Sequence, residues 1–512
     1  MTVTASETAR PVFNGATAFS VSGRQLLKGG AAFQVRGVCY HPRPIGMETA
    51  AMPTMGDFCG PAFSALHARD LPRLRSMGAN VVRVYGWAPG VDHKAFLDAC
   101  YNGGVDPIHV IVNLWIWEQT DWSDTAAVDA LCTQFAALED WLAGHPAVLA
   151  VALGNEVNLV TPAGKAAPNG ATVAYWKAME RVAAAVKARN PARLVTVPTN
   201  DALAHVAVAE AHVPGIDFWS LQLYRGDGFG SFFADYGALS TKPVVLTEFG
   251  MDAYDHAAGA EYPNNGYRAG QALGSLWQGI VAARAVCAGG CVFEYSDEWG
   301  KVGGAGTSAW THDAGGFAHP GFPDGWMDEE WWGLFAVSRA EGAPDVPQPR
   351  ASVGVLTALW QAAAAAEGRG DDPRLINLST RARVGEGEEL FVAGFIVRGT
   401  APRLLLVRAV GPHLASFGLR TALADPRLDI DSLMPEWNGT VTRRVASNDN
   451  WEEVANPDPL KAATASHTGF GFKAGSKDAA YLGLFAPGSY TVTVSGVNGS
   501  TGVALVEVYE IR

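Results

Sequence analysis

The 512-residue sequence is poor in positive charge: 38 Lys and Arg residues stand against 51 Asp and Glu residues, for a formal net charge of −13. It contains no extended segment rich in Lys and Arg. Because nucleic acids are bound by basic surfaces, this composition argues against a nucleic-acid partner. An uncharged polymer such as a polysaccharide is compatible with it. No apolar run is long enough to cross a bilayer, so we expect no membrane span.

Cysteine is scarce, and the six cysteines do not have the spacing of a zinc site. Two His and two Asp residues between 312 and 324 are potential metal ligands, but nothing in their spacing fixes a geometry, so we predict no metal. The first fifteen residues lack the basic and then apolar pattern of a secretory signal peptide. Two alternatives follow: a cytoplasmic protein, or an exported protein whose signal peptide has been removed.

Eight short β-type runs alternate with helical segments between Phe33 and Trp299, and most are nearly continuous in apolar residues. Such runs are typical of parallel strands that are covered on both sides. They are FQVRGVCY (33–40), NVVRVYGW (80–87), HVIVNLWI (109–116), VLAVALGNEV (148–157), RLVTVPTND (193–201), DFWSLQLY (217–224), PVVLTEFG (243–250) and GGCVFEYSDEW (289–299). The segments 125–145, 171–190 and 266–289 have helical periodicity. Eight strand–helix repeats predict an α/β fold, a (β/α)₈ TIM barrel. A doubly wound sheet is the alternative, but the first strand lacks a glycine-rich phosphate turn after it.

The pattern changes to alternating strands with Gly, Pro and Asn between them near the C-terminus, as in an antiparallel β-sandwich. A segment rich in Gly, His, Asp and Trp after the eighth strand is predicted to be a long loop at the catalytic face. The predicted domains are a lead-in (1–32), the barrel (33–366) with the 300–350 loop, a linker (367–374) and an all-β sandwich (375–512).

Two carboxylates end apolar runs of the predicted barrel. Glu156 follows VLAVALGN and Glu248 follows PVVLT. An unpaired buried carboxylate is costly, so such a residue usually has a function or forms an ion pair, here with a neighbour such as Arg83. Reactive residues of TIM barrels lie at these strand ends, and retaining glycosidases need two carboxylates across one site. We therefore predict that Glu156 is the acid/base and Glu248 the nucleophile.

Other polar and aromatic residues at the strand ends are predicted to bind substrate. Asn155 is suited to hold a sugar 2-hydroxyl, and the Tyr224 hydroxyl to orient Glu248. The remaining candidates, some of which are equally suited to support the carboxylates, are Tyr40, Arg83, Asn113, Trp115, Tyr295 and Trp299.

These motifs resemble clan A (4/7) glycoside hydrolases, in which the acid/base follows Asn at the end of strand four and the nucleophile ends strand seven. Counting the runs places Glu156 on the fourth and Glu248 on the seventh. Within the clan, the stretches VRGVCYHP, LGNEV, VPTND and VVLTEFG resemble glycoside hydrolase family 72, the β-1,3-glucanosyltransferases, and bacterial proteins grouped with the family 2 TIM-barrel domain. GNEV followed by TEFG at this separation is a fairly specific indication of this clan.

The resemblance implies a retaining β-glycosidase or transglycosidase that acts on a β-linked glucan, polysaccharide or oligosaccharide, without a cofactor. It also implies a disulfide between Cys59 and Cys100, and an aromatic floor for the sugar at Tyr295 or Trp299. The 300–350 loop departs from the family pattern, so the resemblance leaves the linkage open. The C-terminal part resembles β-rich domains of exported bacterial proteins, which favours a periplasmic, cell-surface or extracellular location.

The alternative function is a catalytically silent carbohydrate-binding or cell-surface protein on the same barrel. The presence of both Glu156 and Glu248 argues against it. A metal-dependent barrel hydrolase is a third interpretation, and the missing His-x-His motif after the first strand counts against it. Hydrolysis and transfer both remain compatible with the sequence.

Overall fold

The computed structural model describes residues 19–48, 51–142, 144–301, 308–367, 377–397, 403–436, 439–454, 456–486 and 488–511. The chain divides into two compact units, Met1–Gln271 with Ala283–Val353 and Ala272–Ala282 with Gly354–Arg512. Apart from Glu367, the predicted linker lies outside the described residues, as does the lead-in before residue 19. No helix in the described ranges combines the length and apolar character needed to cross a membrane.

The first unit contains a closed parallel barrel, preceded by a small antiparallel sheet. The strands of the small sheet are β1 (Phe19–Ser22), β2 (Gln25–Lys28) and β3 (Ala31–Ala32). The barrel strands are β4 (Val35–Cys39), β5 (Val81–Arg83), β6 (His109–Leu114), β7 (Val148–Leu153), β8 (Leu194–Thr196), β9 (Pro198–Asn200), β10 (Trp219–Leu223), β11 (Val244–Phe249) and, after the hairpin of β12 (Tyr254–Asp255) and β13 (Ala260–Glu261), β14 (Cys287–Val292).

The order of the barrel strands in the sheet is β8-β7-β6-β5-β4-β14-β11-β10-β9. Because β8 and β9 are separated only by Val197, they are two halves of one barrel strand, and the sheet closes on itself. All the neighbouring strands that pair in this sheet are parallel. The predicted TIM barrel is therefore confirmed, with one strand in each of the eight apolar runs.

Helices follow the barrel strands as expected. They are α1 (Ser64–Met77), α2 (Lys94–Tyr101), α3 (Thr125–Leu142), α4 (Val173–Arg189), α5 (Leu203–Ala209), α6 (Phe232–Leu239) and α7 (Pro263–Ala282). Helix α4 begins where the Thr172 hydroxyl accepts a hydrogen bond from the Tyr175 amide, and it ends before Asn190-Pro191. The predicted helix at 266–289 was too long at its C-terminal end, since Cys287 already starts β14.

The 300–350 segment is more ordered than predicted. Its described part contains two antiparallel hairpins instead of a plain loop. The first joins β15 (Gly316–Ala318) to β16 (Trp326–Asp328), and the second joins β17 (Phe335–Ser338) to β18 (Val346–Pro349).

The second unit is an antiparallel β-sandwich, as the alternating pattern predicted. After helix α8 (Ala351–Glu367) its strands are β19 (Asn377–Val384), β20 (Phe391–Val397), β21 (Arg403–Val410), β22 (Pro426–Glu436), β23 (Gly439–Asn448), β24 (Ala479–Phe485), β25 (Gly488–Gly496) and β26 (Gly502–Glu510), with short helices α9 (Pro412–Ser416) and α10 (Asp458–His467) between them. The two sheets, β19-β26-β21-β24 and β20-β25-β22-β23, share one apolar core.

All six cysteines are free thiols, so the disulfide between Cys59 and Cys100 that the resemblance implied is not formed. Both thiols are buried. Burial raises the pKa of each, and this keeps them protonated and therefore poor nucleophiles for disulfide exchange.

Strand β14 contains two consecutive glycines, Gly289 and Gly290, and Gly289 lies very close to the neighbouring strand β4. Gly289 has φ +115°, and a β-carbon placed on it would lie 2.2 Å from the carbonyl oxygen of Val35 on β4. We expect Gly289→Ala to lower the free energy of unfolding by about 1–3 kcal/mol or more, because the strands must separate to admit the methyl group. Urea denaturation measures this.

The control is Gly354→Ala in helix α8, where an added β-carbon meets nothing within 4 Å. Alanine there should stabilise the helix by about 0.5–1 kcal/mol. If the two substitutions changed the free energy of unfolding equally, the close approach of Gly289 to β4 would not determine which residues position 289 accepts.

Candidate active site

Glu248, at the end of β11, is held by four hydrogen-bond donors. Its Oε1 accepts hydrogen bonds from the Tyr85 hydroxyl (2.7 Å) and Gln222 Nε2 (3.0 Å) and forms an ion pair with Arg83. Its Oε2 accepts from the Tyr224 hydroxyl (2.7 Å). The side chain is only 6% exposed. Four donors around one buried carboxyl satisfy its two oxygens and fix its orientation, as a carboxylate nucleophile requires.

Arg83 connects Glu248 to Asn155. Its guanidinium is fully buried and donates to Glu248 and to Asn155 Oδ1. Gln222 Nε2 also donates to Asn155 Oδ1, at 2.7 Å. Because these two donors occupy the amide oxygen, any hydrogen bond from Asn155 to a sugar hydroxyl would come from its NH₂ group. This orientation suits the hydrogen bond to a sugar hydroxyl that the sequence predicted.

Glu156 follows Asn155 in an unusual backbone conformation, with φ 49° and ψ 23°. Residues other than glycine seldom adopt this left-handed region, and those that do cluster at functional sites. The backbone amide of Glu156 donates to the Pro198 carbonyl at 3.0 Å, which joins the loop after β7 to the first residue of β9. Burial, and next the negative charge of Glu248, raise the pKa of Glu156 to about 8. The raised pKa favours the protonated form of Glu156 at neutral pH, and this is the form that the predicted role of general acid needs.

A group of aromatic side chains lies beside Glu248. The Phe293 ring packs against Tyr85 (6.4 Å between ring centroids), Tyr224 (6.1 Å) and Trp332 (5.8 Å). The edge contacts fix the rings of the two tyrosines that donate to Glu248. Tyr85 and Gln222 stand at strand ends in the sequence and were detectable there. Phe293 carried no signal in the sequence, whereas Trp332 stood out there as an aromatic residue suited either to cover a bound sugar or to pack the 300–350 loop.

A charged cluster follows β14. Lys301 Nζ lies 3.3 Å from Glu298 Oε2, 3.1 Å from Glu329 Oε2 and 4.2 Å from the centroid of the Phe293 ring. His41 Nδ1 pairs with the other oxygen of Glu298. The positive charge of Lys301 lowers the pKa of Glu156, and the negative charge of Glu329 raises it. The cluster therefore adjusts the protonation of the predicted acid.

The same cluster contains the only potential metal-ligand group found among the described residues, His41 with Glu294 and Glu298. Their donor atoms lie within 4.8 Å of one another. The ammonium group of Lys301 already supplies a positive charge to Glu298, so we assign no metal there. The His and Asp residues between 312 and 324 do not form such a group.

Two predicted substrate-binding residues lie elsewhere. Tyr40 and Tyr295 are 1% and 0% exposed, and their hydroxyls donate to Asp70 of helix α1 at 3.0 and 2.5 Å. The prediction that these two residues bind substrate is wrong in this structure. A side chain at a strand end points either into the barrel or towards the helices, and Asp70 holds both phenols on the helix side.

The other candidates have separate places. Asn113 is buried and donates to the Tyr85 carbonyl at 2.7 Å, so it supports the loop that carries Tyr85. Trp299 stacks on the ring of His312, with 5.0 Å between centroids. Trp115 is 42% exposed on the loop after β6.

The chain is similar to known glucanosyltransferases. Residues 9–308, more than half of the chain, match the family model of glycoside hydrolase family 72, described as glucanosyltransferase. The 1,3-beta-glucanosyltransferase gas5 of Schizosaccharomyces pombe is 26% identical over 322 residues, which cover 56% of this chain and 57% of that protein. A 1,3-beta-glucanosyltransferase of Arthroderma benhamiae is 26% identical over 214 residues, 35% of this chain and 37% of that protein.

The chain thus spans 57% and 37% of the lengths of these two relatives. Among solved structures, Saccharomyces cerevisiae Gas2p in complex with laminaripentaose matches with a TM-score of 0.47 and 17% identity, over 68% of this chain and 69% of that one. A GH2 beta-galacturonidase from Eisenbergiella tayi matches with a TM-score of 0.47 and 15% identity, over 67% and 54%. By the extent of the family match, the chain belongs to the glucanosyltransferase family, glycoside hydrolase family 72.

Proposed function

We propose that the protein is a retaining β-glucan transglycosidase in which Glu248 is the nucleophile and Glu156 the acid/base. The observation that carries the proposal is the contrast between the surroundings of the two carboxyls. Glu248 accepts hydrogen bonds from four donors, and one of them is the guanidinium of Arg83, whereas burial and the nearby charge of Glu248 raise the pKa of Glu156 to about 8. One charged and one protonated carboxyl are what the first step of retaining cleavage requires.

In the first step, Glu248 attacks the anomeric carbon while Glu156 gives its proton to the leaving oxygen. The new bond is an ester between Glu248 and the sugar, so the negative charge of Glu248 disappears. Because that charge is one cause of the raised pKa of Glu156, the pKa falls in the intermediate. Glu156 is then a carboxylate, which takes the proton from an incoming hydroxyl in the second step.

Three neighbours support this sequence of steps. Arg83 balances the charge of Glu248 before the attack, and the Tyr85 and Tyr224 hydroxyls aim its two oxygens. We propose that the NH₂ group of Asn155 holds the sugar 2-hydroxyl, since Arg83 and Gln222 occupy its amide oxygen. A hydrogen bond there strengthens as positive charge develops on the sugar ring.

The substrate that we propose is a β-1,3-linked glucan. The curated relatives are named 1,3-beta-glucanosyltransferases, which supports this linkage. A polymer of this kind cannot cross a membrane, so we further propose that the protein is exported to act on it. We also propose that residues 33–366 carry the activity and that 375–512 are an accessory domain.

Transfer is tested with a short β-1,3-glucan oligosaccharide. If a sugar hydroxyl outcompetes water for the intermediate, products longer than the starting oligosaccharide will appear early in the incubation. Mass spectrometry of a short incubation detects them. Shorter products alone, even at high substrate concentration, would identify a hydrolase instead.

The roles of the carboxyls are separated by substitution. Glu248→Ala should abolish turnover, and azide should restore it by forming a glycosyl azide of inverted configuration. Glu156→Ala should slow poor leaving groups about 10²–10⁴-fold and spare good ones, which need no proton in the first step. Aryl glycosides of graded leaving-group pKa measure the difference, and an equal loss across the series would contradict the role of Glu156.

The pH profile tests the charged cluster. Because the acid must be protonated and its pKa is about 8, kcat/KM for a poor leaving group should fall above about pH 8. Lys301→Met removes a positive charge that lowers the pKa of Glu156, so the alkaline limb should move to higher pH. Glu329→Gln removes a negative charge that raises this pKa, so the limb should move to lower pH. If both substitutions shifted the limb in the same direction, their effects would come from structural disturbance and not from the charges that they remove.

A further inference from the structure

Two tryptophans are exposed on the loop after β6. Trp115 is 42% and Trp117 60% exposed, whereas their neighbours Leu114 and Ile116 are 3% and 1% exposed. The alternation turns both indoles to solvent and anchors the backbone through the residues between them. Large apolar side chains that stay exposed as a group mark binding surfaces more often than single ones do.

This loop packs against the strand end that carries Glu156. The amide of Gly154 donates to the Leu114 carbonyl at 3.3 Å. A β-carbon on Gly154 would lie 3.2 Å from Cβ of Ile116. Gly154 stands two residues before Glu156, so the backbone segment that bears both indoles lies next to the acid.

The loop is also held rigidly to the loop that follows Glu156. Asn169, which is 1% exposed, donates from one NH₂ group to the carbonyls of Glu118 and Val157, both at 2.9 Å. Its Oδ1 accepts from the Trp122 indole at 2.6 Å. A surface that is already fixed loses little conformational entropy when a ligand binds.

The proposed role of Glu156 as acid indicates which sugar the surface of Trp115 and Trp117 would contact. Glu156 protonates the oxygen that joins the cleaved sugar to the next one. A surface on the acid's side of the cleft therefore contacts the sugar attached through that oxygen, which is the leaving group in the first step and the acceptor in the second. Indole faces are uncharged and match the apolar C–H faces of pyranose rings.

We infer that Trp115 and Trp117 form an acceptor platform for a β-glucan chain and thereby favour transfer over hydrolysis. The platform holds a pyranose ring next to Glu156, so that a sugar hydroxyl and not water receives the glycosyl group. The oxygen of that hydroxyl forms the new bond to the anomeric carbon, the ester to Glu248 breaks, and Glu156 takes the proton. This inference rests on the proposed function.

The test uses the full chain with an aryl β-laminaribioside as donor and laminaripentaose as acceptor. Mass spectrometry gives the ratio of transferred to hydrolysed product as the acceptor concentration rises. In the Trp115→Ala, Trp117→Ala double variant, the acceptor concentration that gives half-maximal transfer should rise about tenfold or more. This is the loss of affinity expected when aromatic anchors are removed. The Trp115→Phe, Trp117→Phe variant keeps ring faces and should retain most of the transfer.

The matched control is Trp141→Ala. Trp141 is 48% exposed on helix α3, near its C-terminal end. Helices of the barrel run antiparallel to its strands, so this indole lies towards the end opposite the catalytic loops. The control should keep the wild-type ratio. An unchanged ratio and acceptor requirement in the double Ala variant would overturn the inference.

A second measurement separates this inference from the proposed function. Calorimetry records laminaripentaose binding to the wild type and to the double Ala variant without need of turnover. If the wild type releases no aryl group from the donor, the proposed function fails. Weaker laminaripentaose binding by the double Ala variant than by the wild type would still support the platform in that case. Equal binding by both proteins, or none by the wild type, overturns the platform.

Discussion

The buried ion pair between Arg83 and Glu248 is the contact on which the rest of the site depends. A guanidinium that is fully buried in a barrel needs an anion, and a carboxylate there needs a cation, so either alone would be strongly destabilising. The pair holds the Glu248 carboxylate in place at the end of β11. The charge in turn raises the pKa of Glu156, and Arg83 orients the Asn155 amide. One ion pair therefore links the proposed nucleophile Glu248, the pKa of the proposed acid Glu156 and the orientation of the Asn155 amide.

The sequence predicted this part of the site because a parallel barrel places the C-terminal ends of its strands together. Apolar runs that end in a carboxylate locate Glu156 and Glu248 without any knowledge of tertiary contacts. The same rule failed for Tyr40 and Tyr295, since a strand end does not reveal whether a side chain turns inward or towards the helices. Asp70 decides this for both residues, and its position on α1 gives no hint of the contact.

The contacts after β14 were beyond prediction for another reason. Lys301 meets Glu329, and Phe293 meets Trp332, across the 300–350 segment. That segment has no helical or strand periodicity long enough to predict its structure. The sequence therefore does not indicate which of its residues contact the barrel. The sequence predicted a loop at the catalytic face, but not the hairpins in it or the charges that it brings near Glu156.

The free cysteines have a practical consequence for spectroscopy. All six lie within the described part of the chain, and Cys132 on helix α3 is partly exposed whereas the other five are buried. A maleimide or nitroxide reagent under native conditions should therefore attach at one position. Because α3 directly follows the loop with Trp115 and Trp117, a dye or spin label at Cys132 would report on that loop in the otherwise unaltered protein.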